Sequence, residues 1–154
     1  RPFNHIGPGQ RDDFAVASFA LQIARIESSG GAGRLSVGNL DARRDLSDVR
    51  DVVRAYLALI ERGRGGQAYH VCSGAARSMR EALDGLLAHS TARIEVVFDP
   101  ARARRDEQPV IVGDANLIFR HTGWKAEIPF SETLRAILDD ARRRVAAPKG
   151  SAFA

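Results

Sequence analysis

Three separated stretches of this 154-residue chain combine anion-directed donors with apolar or turn-forming neighbours: Arg1 to Gln10 (RPFNHIGPGQ), Gly38 to Asp45 (GNLDARRD) and Arg102 to Pro109 (RARRDEQP). In them Asn4 offers an amide donor, and Arg44 and Arg104 each offer a planar guanidinium fork that matches phosphate oxygens. Glu107 offers a carboxylate that can accept from ribose hydroxyls. Two arginines on one diphosphate would make charge-assisted bonds worth roughly 1.5–3 kcal/mol each. Spacing alone does not bring the stretches together. Arg44 could equally pair with Asp45 or Asp48 across a turn, and Arg104 could be a solvated loop charge.

Other chemistries find less support. His5, His70, His89 and His121 are scattered and form neither an HExxH nor a cysteine-pair pattern, so no metal site is expected. His70 and Cys72 share one face of an apolar run and could form a thiol–imidazole pair, although two packed core residues are the commoner meaning. Gly7-Pro8-Gly9 lacks the third glycine and the helix spacing of a dinucleotide fingerprint, and no G-x-G-x-x-G occurs elsewhere.

The net charge of +4 rests on 23 Lys+Arg against 19 Asp+Glu, with Lys125 and Lys149 the only lysines. Basic residues alternate with acids (Arg43, Arg44, Arg50 and Arg54 beside Asp41, Asp45, Asp48 and Asp51), so no basic stripe for nucleic acid is expected. Asp45 and Asp51 read as structural caps or ion-pair partners. No apolar run approaches a bilayer span, and no membrane association is expected. One cysteine, Cys72, cannot form an internal disulfide, which suits a reducing compartment, and cytoplasm is the expected location.

These groups need a frame, and the hydrophobic pattern supplies one. Asp12 and Asp13 can cap a helix to about Ser28 with two apolar stripes, Phe14, Ala17, Leu21, Ala24 and Phe19, Ile23, Ile26. Arg34 to Val37 reads as a strand, and Gly38-Asn39 as a turn. Ser47 can cap a helix whose Val49, Val52, Val53, Tyr56, Leu57 and Ile60 predict a single buried stripe. Ala68 to Cys72 and Ile94 to Phe98 read as strands, Ser78 with Glu81 as a capping box, and Gly113-Asp114 precedes a short helix ending near Gly123. A last helix runs from Ser131 to about Val145, and the final nine residues read as a frayed tail. Such alternation indicates α/β or α+β layering.

Taken in order, RPFNHIGPGQ, GNLDARRDLSDVRDVVRAY and DPARARRDEQPVIVGDANL with TGWKAEIPFSETL resemble the C-terminal half of the extended short-chain dehydrogenase/reductases, the NAD-dependent epimerase/dehydratase family. The likeness is greatest to the GDP-4-keto-6-deoxy-D-mannose reductases and GDP-mannose 4,6-dehydratases, and runs from Arg1 to about Arg144. It implies an α/β fold: the C-terminal part of an NAD(P)-binding Rossmann-type enzyme with its small α/β substrate-binding domain. Residues 1–147 would form that segment, including the last elements of the Rossmann sheet, and 148–154 a tail.

The resemblance implies that Asn4 lies by the substrate diphosphate, that Arg44 and Arg104 bind its phosphates, that Glu107 contacts the ribose and that His5 lies near the nicotinamide. Arg105 stands where members usually carry proline, and Leu46 where an aromatic residue is common. Members transfer hydride with a tyrosine followed four residues later by lysine. Tyr56 and Tyr69, the only tyrosines, lack that lysine and belong to a helical stripe and a strand, so no catalytic residue is expected in this chain. NAD(P) is then held mainly by an N-terminal Rossmann half that the chain does not contain. A GDP-linked sugar is the expected ligand and a homo-oligomer the expected assembly. A 4,6-dehydratase or 4-epimerase is the alternative within the family. Outside it stand a non-catalytic sugar-nucleotide-binding domain and, remotely, a basic nucleic-acid binder.

Overall fold

The computed structural model of the chain describes residues 1–103 and 108–147. In chain order the elements are β1 (His5–Ile6), α1 (Ala15–Ser28), β2 (Ala32–Val37), β3 (Arg43–Asp45), β4 (Ser47–Asp48), α2 (Val49–Arg62) and β5 (Ala76–Ser78). They continue with α3 (Met79–Leu87), β6 (Arg93–Phe98), a 3-10 turn (Pro100–Arg102), β7 (Val110–Ile111), α4 (Asn116–Thr122) and α5 (Phe130–Ala146). β2 pairs with β6 and β1 with β4, both in parallel, while β3 lies between antiparallel β5 and parallel β7. Parallel pairs need crossover connections, and helices supply them here, giving an α/β fold.

The main core gathers around α1, α3 and α5. Ala17, Leu21 and Ala24 on one side of α1 and Phe19, Ile23 and Ile26 on the other are all buried, so both stripes find partners. Phe14 departs from its stripe: it is the N-cap residue and half exposed. No side chain caps the helix, and Asp13 pairs with Arg11 instead. The capping box at α3 is complete, with Ser78 Oγ accepting from Glu81 N at 3.0 Å and Glu81 Oε2 accepting from Ser78 N at 2.6 Å. Ile23, Leu35, Leu83, Leu86 and Leu138 are fully enclosed in this core. Burying each such side chain contributes about 1.5–3 kcal/mol.

α2 departs from expectation in two ways. Its cap is Asp48, whose Oδ1 accepts from Arg50 N at 2.8 Å, because Ser47 is already engaged in the β4 ladder with β1. Its buried face carries Asp51, Val52, Ala55 and Ala58, while Val53, Tyr56, Leu57 and Ile60 are exposed. The inward side is built of small residues because Tyr69, Val71, Ile118 and Trp124 pack closely against it, so residue size misidentified the buried face. Ala68 to Cys72 is likewise no full strand. Its partner stretch, Arg1 to Phe3, is short, and only Val71 forms a bridge, with Pro2.

Candidate functional site

A cleft of about 300 Å³, at the lower end of small-molecule sites, opens beside the start of α1, the turn after β2, strand β3 and the 3-10 turn. Asn4, His5, Asn39, Arg44 and Arg102 are among its walls. A second cavity of about 530 Å³ adjoins it, and Asn4, His5, Gln10 and Phe14 line both.

Short strands place these side chains. The carbonyl of Asn4 accepts from Ser47 N at 3.0 Å, which seats Asn4 at the head of the β1–β4 ladder. The next residue, His5, sets its Nδ1 3.1 Å from the Phe3 carbonyl and borders both cavities. Arg44 lies in the middle strand of its sheet, and its Nη1 donates to the carbonyls of Arg43 and Gln108, each at 2.8 Å. Arg43 N also donates to Pro109 O at 2.8 Å, so the second and third anion-directed stretches are stitched together.

Asp45, next to Arg44, is fully buried. Its carboxylate accepts from Ser73 N at 2.8 Å, Ser73 Oγ at 2.7 Å and Gly74 N at 2.9 Å, so it clamps a loop beneath β3 rather than capping a helix. Asp51 acts as expected of an ion-pair partner, with Arg54 Nε at 3.2 Å, and also accepts from the backbone of Glu127 and Ile128 at 3.0 Å. Asp48 joins α2 to α5 through Thr133 Oγ1 at 2.7 Å. Burial would raise its pKa, but hydrogen bonds from Arg50 and Thr133 outweigh that and hold it below the ordinary carboxylate value.

The cleft thus brings Asn4, His5 and Arg44 together. Arg104 and Glu107 lie outside the described residues. The third stretch is represented in the cleft by Arg102, which sequence reading passed over. Arg102 Nη1 is 3.3 Å from Ser18 Oγ and its Nε 3.4 Å from Asp99 Oδ2. One sequence signal could have found it, and one tertiary contact fixes it. Asp99 caps the 3-10 turn by accepting from Ala101 N at 3.0 Å, and a Cβ on Gly38 would overlap the Arg102 carbonyl. Gly38 therefore permits the close approach that sets Arg102 against the cleft.

Elsewhere the chemistry is quiet. Cys72 is buried while His70 points outward against the Phe3 ring, so the two form no thiol–imidazole pair. Burial, helped by the charge of Asp45, pushes the Cys72 thiol up to about 11, where it stays protonated at neutral pH. The Tyr69 hydroxyl accepts from Arg64 N at 2.9 Å and contacts His121 Nδ1 at 2.8 Å. Tyr56 lies on the outer face of α2, not in a buried stripe. Among the described residues no three His, Cys, Asp or Glu side chains group as a metal site, and no helix is long and apolar enough to cross a membrane.

Known proteins share this framework. Residues 1–137 match the model of the GDP-mannose 4,6 dehydratase family. The chain is 48% identical over 145 residues to the GDP-6-deoxy-D-mannose reductase of Pseudomonas aeruginosa, covering 94% of this chain and 48% of that protein. It is 26% identical to a GDP-6-deoxy-D-talose 4-dehydrogenase of Aggregatibacter actinomycetemcomitans, covering 91% of this chain and 45% of the other. Among solved structures, RMD from Pseudomonas aeruginosa complexed with NADPH superposes with a TM-score of 0.86 at 46% identity, over 94% of this chain and 48% of that one. The chain spans about half the length of these relatives. On the family match and the 48% identity, the chain belongs to the GDP-mannose 4,6 dehydratase family.

Proposed function

We propose that this chain is the sugar-nucleotide-binding, C-terminal portion of an NAD(P)-dependent enzyme that reduces the keto group of a GDP-linked 4-keto-6-deoxy-mannose. The observation that carries the reading is the meeting of Asn4 and Arg44 in one cleft, in a chain 48% identical to a GDP-6-deoxy-D-mannose reductase. In this reading residues 1–147 make up the substrate-binding segment and the last Rossmann elements, and the expected tail, 148–154, lies outside the described residues. In this reading Asn4 donates to the diphosphate, Arg44 and Arg104 neutralise its phosphates, Glu107 accepts from the ribose and His5 faces the nicotinamide side. Each group binds or orients; none supplies the proton for carbonyl reduction.

The residues present do not fit a dinucleotide by themselves. No glycine-rich strand-to-helix turn occurs in the sequence, and the arginines of the cleft beside α1 suit the substrate's diphosphate. In the parent enzyme the NAD(P) is held mainly by an N-terminal Rossmann half. The exposed apolar face of α2, with Val53, Tyr56, Leu57 and Ile60, supports a further protein surface packing there. We place the enzyme in the cytoplasm as a homo-oligomer.

Calorimetric titration of the chain with GDP, UDP and duplex DNA tests the reading. GDP should bind in preference to UDP, Arg44→Ala should weaken GDP roughly 10- to 100-fold, and DNA should not compete. Equal affinity for both nucleotides, or steeply salt-dependent DNA binding, would overturn it. The chain alone should also oxidise no NADPH in the presence of a GDP-4-keto sugar, since neither Tyr56 nor Tyr69 is followed by the lysine that activates the general acid.

A further inference from the structure

Tyr69 is buried in the hydrophobic cluster around α2 and α4, packed with Val52, Ala55, Ile118 and Trp124, and its hydroxyl reaches two polar partners among the described residues. Arg64 N, in the loop after α2, donates to the oxygen at 2.9 Å, and His121 Nδ1, in the last turn of α4, lies 2.8 Å from it. A backbone N–H can only donate, so the hydroxyl accepts from Arg64 and its one proton is left for His121. Nδ1 is then bare, and the neutral imidazole carries its proton on Nε2. The two rings also meet edge to face, with centroids 5.6 Å apart. One oxygen thereby ties α4 to the loop after α2 and to the stretch from Tyr69 to Val71, which bonds in turn to Arg1 and Phe3.

A proton on His121 reverses this bond. Nδ1 becomes a donor, two N–H groups then face one hydroxyl oxygen, and the hydroxyl proton loses its acceptor. The surrounding charges act in the same direction. Burial, together with the cations of Arg64 and Arg120, holds the half-buried imidazole below the ordinary histidine pKa. Of the neighbouring groups, Arg62 is engaged by Glu61 at 2.7 Å and by the Thr122 carbonyl at 3.0 Å, and the α-amino nitrogen of Arg1 donates to the Tyr69 carbonyl at 2.8 Å. We propose that the Tyr69–His121 pair is a proton-operated latch, which fastens α4 to the loop after α2 while the imidazole is neutral and lets go when His121 takes up a proton. This stands apart from the ligand of the cleft. The sign follows from linkage: an unfolded chain accepts the proton at about 6.5, the ordinary histidine value, and the latched chain only at lower pH. The latch therefore contributes fully above that value, and its contribution falls as the solution is acidified through it.

Nuclear magnetic resonance on the whole chain tests the latch. At about pH 7.5 the ring nitrogens of His121 should show a bare Nδ1 and a protonated Nε2, and the ring should titrate below the ordinary histidine value. Between about pH 7.5 and about pH 5.5 the amides of α4 and of the loop after α2 should lose roughly 3- to 10-fold in hydrogen-exchange protection, corrected for the intrinsic rate, which is the range of one neutral hydrogen bond. His121→Asn keeps an acceptor near the Nδ1 position and cannot take up a proton, so that acid-induced loss should vanish in it. Tyr69→Phe removes the hydroxyl, and the same amides should be as weakly protected at about pH 7.5 as those of the parent at about pH 5.5. A proton on Nδ1 at neutral pH, titration at or above the ordinary value, or an undiminished acid-induced loss in His121→Asn would each overturn the latch. The two ring readings are made on the parent chain, so they decide the matter even if a variant fails to fold.

Discussion

The two hydrophobic clusters of this chain are closed to different degrees. Around α1, α3 and α5 the enclosure is complete: Ala20, Ile23, Leu35, Leu83, Leu86 and Leu138 expose nothing. Around α2 and α4 the core is smaller, and the same helix that buries Val52, Ala55 and Ala58 exposes Leu57 by 57% and Ile60 by 82%. Yet the polar anchoring of that smaller cluster is strong. Asp51 binds the Glu127 and Ile128 amides, and Trp124 Nε1 donates to the Asp51 carbonyl at 3.0 Å. Hydrogen bonds fix where α2 sits, while its outer apolar face is the kind of surface a further domain or subunit covers.

The cleft belongs to the closed region. Its floor includes Val16, Phe19 and Met79, which are members of the larger cluster, and Arg44 and Arg102 are held at its rim by backbone and side-chain bonds. A binding site on a rigid, saturated core keeps its donors preorganised. The sharpest way to break the comparison is therefore to open that core. Leu83→Ala removes a fully enclosed side chain at the α3 contact with α1 and should cost about 2–5 kcal/mol of stability. Denaturant unfolding measures it, and a loss below 1 kcal/mol would show that α3 collapses to refill the space. Weakened GDP binding should accompany that loss if the cleft depends on this core.

Much of the closed region was legible in the sequence, because its signals are local. Ser78 and Glu81 are three residues apart and announced α3. A local signal held in the smaller cluster too: Gly123, with a φ of 73°, ends α4 where a glycine was expected. The strand expected over Ile94 to Phe98 and the helix expected from Ser131 to about Val145 form over Arg93–Phe98 and Phe130–Ala146. What failed were signals that only a tertiary partner resolves. Ser47 was the expected cap of α2, but β4 claims its backbone and Asp48 caps the helix instead. The large residues of α2 looked buried because nothing in the spacing says that Trp124 leaves room for alanines alone. In the candidate site the same division holds. Arg44 was singled out by residue type together with the family resemblance, whereas the place of Arg102 depends on its contact with Gly38, sixty-four positions earlier.

The smallest expected effect sharpens the comparison most. Replacing Leu57 by Gln and Ile60 by Lys removes two side chains that already meet solvent, so the stability of the chain should change by no more than about 0.5 kcal/mol. Neither substitution weakens the helix, since Gln and Lys are good helix formers and a cation near the C-terminal end of α2 suits its dipole. What should change is association. An exposed apolar stripe drives like chains together at high concentration, and the double variant should sediment as a smaller species than the parent. If the parent were strictly monomeric at the highest concentration reached, the stripe would be too weak an attractant for that role. If the double variant instead lost several kcal/mol, α2 would owe its place to its outer face, and the contrast between a closed and an open cluster would dissolve.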